Sequence, residues 1–176
     1  MVKASAPGKC ILFGEHAVVY GQPALACSIS QRMIIELEVE KTFDKWRLDG
    51  RTFNPKKHPH IDFLRKQLPP IGDKPVHIRI RGSIPKASGL GSSAALSVAL
   101  CGALQQMREE DVDPLQASEL SHRAEASAQG GRASPMDTAT SSFGGFVVLS
   151  DTVEDGLEYI GVRLSLIHIS EPTRRS

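Results

Sequence analysis

The feature that most limits what this chain can become is a single run from residue 76 to residue 107. Val76-His77-Ile78-Arg79-Ile80-Arg81 alternates apolar and polar residues, as a strand with one buried face does. Ile84-Pro85-Lys86-Ala87-Ser88-Gly89-Leu90-Gly91-Ser92-Ser93-Ala94-Ala95 follows as a turn rich in glycine and serine. The chain then enters a helix expected from Ser93 to Met107. Ala95, Leu96, Ala99, Leu100, Ala103, Leu104 and Met107 form one stripe on it at helical spacing. Its alanines let it lie close to a sheet, so the run predicts a helix stacked on a sheet with a tight loop between them.

That loop has the chemistry of a phosphate cradle. Gly89 and Gly91 lack a Cβ, so backbone N–H groups can come near a ligand. Ser92 and Ser93 stand where the helix begins and its first N–H donors are unpaired. The positive end of the helix favours an anion there, and the Ser93 hydroxyl can join the shell of a magnesium ion. The plainer alternative is an ordinary strand-turn-helix connection capped by serine. The run is neither the Walker loop nor the dinucleotide fingerprint.

Size and charge remove other classes. A chain of 176 residues with 40% hydrophobic content suits one packed domain, or one domain and part of another. A net charge of +1 gives no sign of a nucleic-acid or acidic-membrane partner. The apolar run Ala94 to Ala103 is too short to span a bilayer. Residues Met1 to Gly8 contain no apolar signal core, so a cytoplasmic location is expected. Cys10, Cys27 and Cys101 lack metal-ligand spacing and read as reduced, mostly buried thiols.

Elsewhere Lys3 to Ala6 and Cys10 to Phe13 read as two short strands around Pro7-Gly8. From Ile35 to Glu40 strict alternation predicts a half-buried strand. Asp44 to His60 is polar and turn-rich, and Ile61 to Gln67 reads as a short helix closed by Pro69-Pro70. A second long helix is expected from Asp113, with Pro114 at its first position and Gln116 completing a capping box, to about Gln129. Gly144-Gly145-Phe146-Val147-Val148-Leu149 turns into another strand. Strands are grouped rather than strictly alternating with helices, which predicts an α+β layered domain.

Two further segments carry chemistry. Pro7-Gly8-Lys9-Cys10-Ile11-Leu12-Phe13-Gly14-Glu15-His16-Ala17-Val18-Val19-Tyr20-Gly21 places a lysine after a Pro-Gly turn and a Gly-Glu-His triplet after an apolar strand. Taken singly, these are a surface lysine and a surface acid. Ser134-Pro135-Met136-Asp137-Thr138-Ala139 sets an acid after a rigid turn, which by itself reads as an aspartate capping its own backbone.

Together the three segments resemble the ordered motifs of the GHMP kinases, and the first is most similar to that of the mevalonate kinases of archaea and bacteria. The resemblance covers roughly Met1 to Leu149. It implies the mixed sheet packed by helices of a GHMP kinase N-terminal domain, like the second domain of ribosomal protein S5, over residues 1–163. It also implies a C-terminal domain that this chain lacks. The implied reaction is ATP-dependent phosphorylation of mevalonate to 5-phosphomevalonate in isoprenoid synthesis. The alternatives are another GHMP small-molecule kinase and a non-catalytic nucleotide-binding fragment, and the shortened chain is expected to be poorly active alone. Residues Pro85, Lys86, Ala87, Ser88, Gly89, Leu90, Gly91, Ser92, Ser93, Ala94 and Ala95 would bind ATP. Ser93 and Glu125 would hold Mg2+, Asp137 would act as general base beside Lys9, and Glu15 and His16 would bind substrate. The full-length enzyme would have a homodimer among its options.

Between the second helix and Ser134 the chain has one residue more than that pattern. Absorbed at Gly130-Gly131, it leaves Glu125 in register. Absorbed inside the helix, it passes the role to Glu119. The segment Leu164 to Ser176 departs from the rest, resembles a translated sequencing-library adaptor, and is expected to have no function.

Overall fold

The computed structural model describes residues 1–14, 23–42, 44–85, 87–131, 133–150 and 158–160. The segment 164–176 lies outside them. Seven strands form one mixed sheet: β1 (Val2–Phe13), β2 (Ala24–Val39), β3 (Arg47–Leu48), β4 (Arg51–Thr52), β5 (Val76–Gly82), β6 (Phe146–Ser150) and β7 (Glu158–Ile160). Among the described residues four α-helices accompany them, α1 (Pro59–Gln67), α2 (Ser92–Met107), α3 (Pro114–Ala128) and α4 (Pro135–Phe143), with a short 3-10 turn over Ile71–Asp73. The α+β layered arrangement expected from the sequence is the one observed.

The sheet is organised around β2. Along 16 residues it pairs antiparallel with β1 on one side, and with β6 and then β5 on the other. Where two short strands were expected at the N-terminus there is one of 12 residues. Its register slips between Pro7 and Lys9, where Ile29, Ser30 and Gln31 of β2 stand opposite Gly8 alone, so β2 bulges there and β1 passes Pro7-Gly8 without a break. A Cβ on Gly8 would stand 2.7 Å from the Leu90 carbonyl oxygen, so the bulge is where the strand meets the cradle loop.

The core lies between the sheet and the helices. Ile35 and Leu37 of β2 and Val76 and Ile78 of β5 meet Ala95, Ala99, Leu100, Ala103 and Leu104 of α2, with Ile61 and Leu64 of α1 closing one side. Helix α2 is buried on more than the expected stripe: Ala94, Ser97, Val98, Cys101, Gly102 and Gln105 are buried too. It is the central helix, with β1 and β2 beneath it and α1, α3 and α4 around it. A second, smaller cluster joins Ala24, Ala26, Met136 and Leu149, and fixes α4 on the sheet.

The expected capping box on α3 does not form. Asp113 accepts from the Leu115 N–H at 2.9 Å, while the Gln116 amide oxygen accepts from the Gln105 side chain on α2 at 2.5 Å. A buried tertiary partner takes the side chain that local geometry would have used.

Candidate functional site

The loop between β5 and α2 reverses direction through left-handed backbone at alternate residues: Ala87 (φ 55°), Gly89 (φ 74°) and Gly91 (φ 70°). At Gly91 the absence of a side chain is required twice over. A Cβ there would be strained by the backbone and would lie 2.7 Å from Cγ of Lys9. The Lys9 N–H donates to the Leu90 carbonyl at 3.0 Å, which ties the loop to β1. Inside the loop, the Ser88 hydroxyl donates to the Pro85 carbonyl at 2.8 Å. Helix α2 starts directly after Gly91 with no side-chain cap, so its first N–H groups face outward unclaimed by one.

Lys9 is 5% exposed, an unusual burial for a lysine. Its Nζ lies 2.9 Å from Oδ1 of Asp137. Asp137 sits in the first turn of α4, a helix that the serine- and threonine-rich sequence did not announce. A carboxylate in the first turn is favoured by the helix dipole. The ion pair thus joins strand and helix across 128 positions of chain (137 − 9).

Glu125, on α3, is 4% exposed. Its Oε2 accepts from the Ser93 hydroxyl at 2.6 Å and from the Gln129 amide at 3.2 Å, and its Oε1 accepts from the Ser97 hydroxyl at 2.5 Å. After the helix Gly130 and Gly131 are both left-handed, and the Gly131 N–H closes back on Ala126 O at 2.8 Å, as in a Schellman cap. Its bonds to Ser93 and Ser97 put Glu125 on the face toward α2, whereas Glu119 is exposed. Ser93 and Glu125 are hard oxygen donors at a cavity wall, a set that suits magnesium and not a soft metal.

These groups line one cavity of about 390 Å³, with Lys9, Asp137 and Thr138 on one wall, Glu125 and Gln129 on another, and the loop from Ala87 to Ala94 as its floor. The N-termini of α2 and α4 both open on it. A second cavity of about 520 Å³ shares Ser92 and Ser93 with the first. Its lining is mostly apolar, with Met33, Ile61, Ile80, Ile84 and Leu96, and it includes the His58 and His60 rings. Burial pushes the His60 imidazole below the ordinary histidine range, opposed by the Glu125 carboxylate.

The structure brings together Lys9, Ala87 to Ala94, Glu125 and Asp137. Ala95 instead turns fully into the core, and Pro85 is exposed outside the cavity lining. Lys86, Glu15 and His16 lie outside the described residues. Sequence reasoning missed Ser97 and Gln129. Ser97 stands four residues after Ser93, on the same helix face, and Gln129 four after Glu125, so helical spacing was the signal available.

Comparison with known proteins gives these observations a context. Residues 58–145 match the family described as GHMP kinases N terminal domain. The chain is 41% identical over 150 residues to a mevalonate kinase of Methanothermobacter thermautotrophicus, covering 83% of this chain and 49% of the relative. It is 38% identical over 144 residues to a mevalonate kinase of Archaeoglobus fulgidus, covering 81% and 50%. The crystal structure of the Methanococcus jannaschii mevalonate kinase superposes with a TM-score of 0.73 at 26% identity, covering 85% of this chain and 53% of that one. The chain spans about half the length of these relatives.

Proposed function

From a chain that belongs to the GHMP kinase family, we propose the following activity: residues 1–163 are the ATP-binding half of a kinase that phosphorylates mevalonate. The observation that carries the reading is the convergence of a buried lysine–aspartate pair and a serine–glutamate pair on one glycine-rich cradle. Phosphoryl transfer asks mainly for positioning and charge stabilisation, and these groups offer both.

The cradle N–H groups and the N-terminus of α2 bind the phosphates of ATP. The apolar cavity that shares Ser92 and Ser93 takes the nucleoside. Ser93 and Glu125 would hold Mg2+, which would supply neutralisation of phosphate charge. The Ser93 hydroxyl donates a hydrogen bond to Glu125, so its lone pairs would stay available to the ion. Asp137 orients the substrate's primary alcohol and accepts its proton. Lys9 fixes that carboxylate and places its ammonium beside the forming alkoxide. Glu15 and His16 bind the hydroxy acid, and the reaction belongs to the cytoplasm.

The test is ADP release by the full-length gene product with mevalonate, against a panel of sugar and amino-acid alcohols. Mevalonate is expected to be preferred, and Asp137→Asn is expected to cut turnover by about 10²- to 10⁴-fold with nucleotide affinity nearly unchanged. Preference for another alcohol would reassign the substrate within the family. Near-normal turnover of Asp137→Asn would remove its role as base.

A further inference from the structure

Outside the cavity, on the opposite face of the sheet, two cysteines stand directly opposed. In the β1–β2 ladder Lys9 pairs with Ser28, Cys10 with Cys27, and Ile11 with Ala26. Side chains alternate faces along a strand. Lys9 and Ala26 are buried on the helix side, and Ile11 packs on the cluster beneath α4. Cys10 and Cys27 therefore both point to the other face, where each is part-exposed. That face is built for water further along. Lys3 and Arg81 approach Glu36 there at 3.5 and 3.9 Å, and Arg79 meets Glu38 at 3.3 Å.

Directly opposed residues on antiparallel strands have Cα atoms about 4.5 to 5.5 Å apart. A disulfide spans about 4.4 to 6.8 Å between Cα atoms, so the ladder already holds these residues at bonding separation. The two sulfurs also feel each other: burial and then the Cys10 thiolate push the Cys27 thiol above its ordinary range. Cys101 differs in every respect. It is buried in α2, and burial alone pushes its thiol up to about 12. The chain thus carries one opposed, accessible pair and one inert thiol.

We propose that Cys10 and Cys27 form a reversible oxidation site, closing to a disulfide in exchange with a low-molecular-weight disulfide such as oxidised glutathione. One cysteine thiolate attacks a sulfur of the small disulfide and expels the first small thiol. The second cysteine then attacks the protein-bound sulfur of the mixed disulfide and expels the other. The two cysteines lose two electrons and two protons, and the small disulfide gains both. No shift of strand register is needed. The bond would tie β1 to β2 one residue from Lys9 and close the stretch of chain that carries Glu15 and His16.

The test equilibrates the 176-residue chain in glutathione buffers from reducing to oxidising, blocks free thiols, and maps the peptides by mass spectrometry. Titratable thiols are expected to fall from three to one, with a Cys10–Cys27 linked peptide that dithiothreitol reverses. Cys10→Ser and Cys27→Ser should each form no intramolecular link and stop at a glutathione adduct on the remaining cysteine of the pair, and Cys101→Ser should lose both its thiols to the link. Retention of all three thiols in the wild-type chain would overturn the proposal. So would oxidation that stops at a single glutathione adduct, or a link that includes Cys101 or a second chain. None of these readouts depends on kinase activity.

Discussion

Replacing Gly91 with alanine tests the junction of cradle and lysine most directly. Two costs are expected. A non-glycine residue at φ 70° costs about 1–2 kcal/mol in backbone strain. The new Cβ also meets Cγ of Lys9 at 2.7 Å and Cε at 3.3 Å. Cγ lies near the backbone of a side chain anchored at both ends, by the Leu90 carbonyl and by Asp137, so it cannot simply swing away. Overlap of this kind adds about 1–3 kcal/mol. Gly89 is the internal reference. It has a similar φ of 74°, but a Cβ there meets nothing within 4 Å, so Gly89→Ala should incur the strain alone. Denaturant unfolding followed by circular dichroism gives both values. A double-mutant cycle with Lys9→Ala then isolates the overlap, which should vanish once Cγ is gone. Equal losses for Gly91→Ala and Gly89→Ala, or a coupling below about 0.5 kcal/mol, would refute the reasoning.

Other outcomes follow from the same geometry. Lys9→Met should destabilise the fold by about 1–3 kcal/mol, because Asp137 keeps some contact with water, and adding Asp137→Asn should recover part of the loss; a fully additive double variant would contradict this. Glu125→Gln removes the anionic acceptor of both serines, turns one of its oxygens into an NH2 donor so that one hydroxyl loses its acceptor, and should lose about 1–3 kcal/mol of stability. It should also lose the magnesium dependence of nucleotide binding, so calorimetry with and without the ion would expose a wrong metal assignment. His60 is held below its ordinary value of 6.5, so the unfolded chain binds a proton more readily. Stability should therefore fall as pH drops through about 6.5, and His60→Gln should flatten that part of the melting-temperature profile; an unchanged profile would show that other groups cause it.

The sequence made the two long helices and the alternating strands legible because their patterns are local. The stripe from Ala95 to Met107 and the alternation from Ile35 are each visible in a short window. Three features were not legible, for separate reasons. Helix α4 is spelled Met-Asp-Thr-Ala-Thr-Ser-Ser, residues that favour turns in isolation, and Met136 sunk against Ala24, Ala26 and Leu149 decides its form. The first half of β2 contains Ser28, Ser30, Gln31 and Arg32, and is a strand because β1 and β6 flank it. The capping role expected of Gln116 was lost to Gln105, a partner that only the packing of α2 on α3 supplies. At the site, the residue types and their order were readable, but the pairings of Lys9 with Asp137 and of Glu125 with both serines are tertiary facts.

The buried ammonium of Lys9 has a bearing on how the chain comes to fold. During synthesis β1 leaves the ribosome long before α4 does. A partly built sheet that buried Lys9 without Asp137 would enclose a charge with no counterion, which is penalised by several kcal/mol. Early collapsed forms are therefore held open at this strand, and closing becomes favourable only when residue 137 arrives. Maturation of the domain and arming of its chemistry become one cooperative step, so a chain interrupted before α4 should remain a substrate for proteases rather than persist as a quiet, half-formed nucleotide binder.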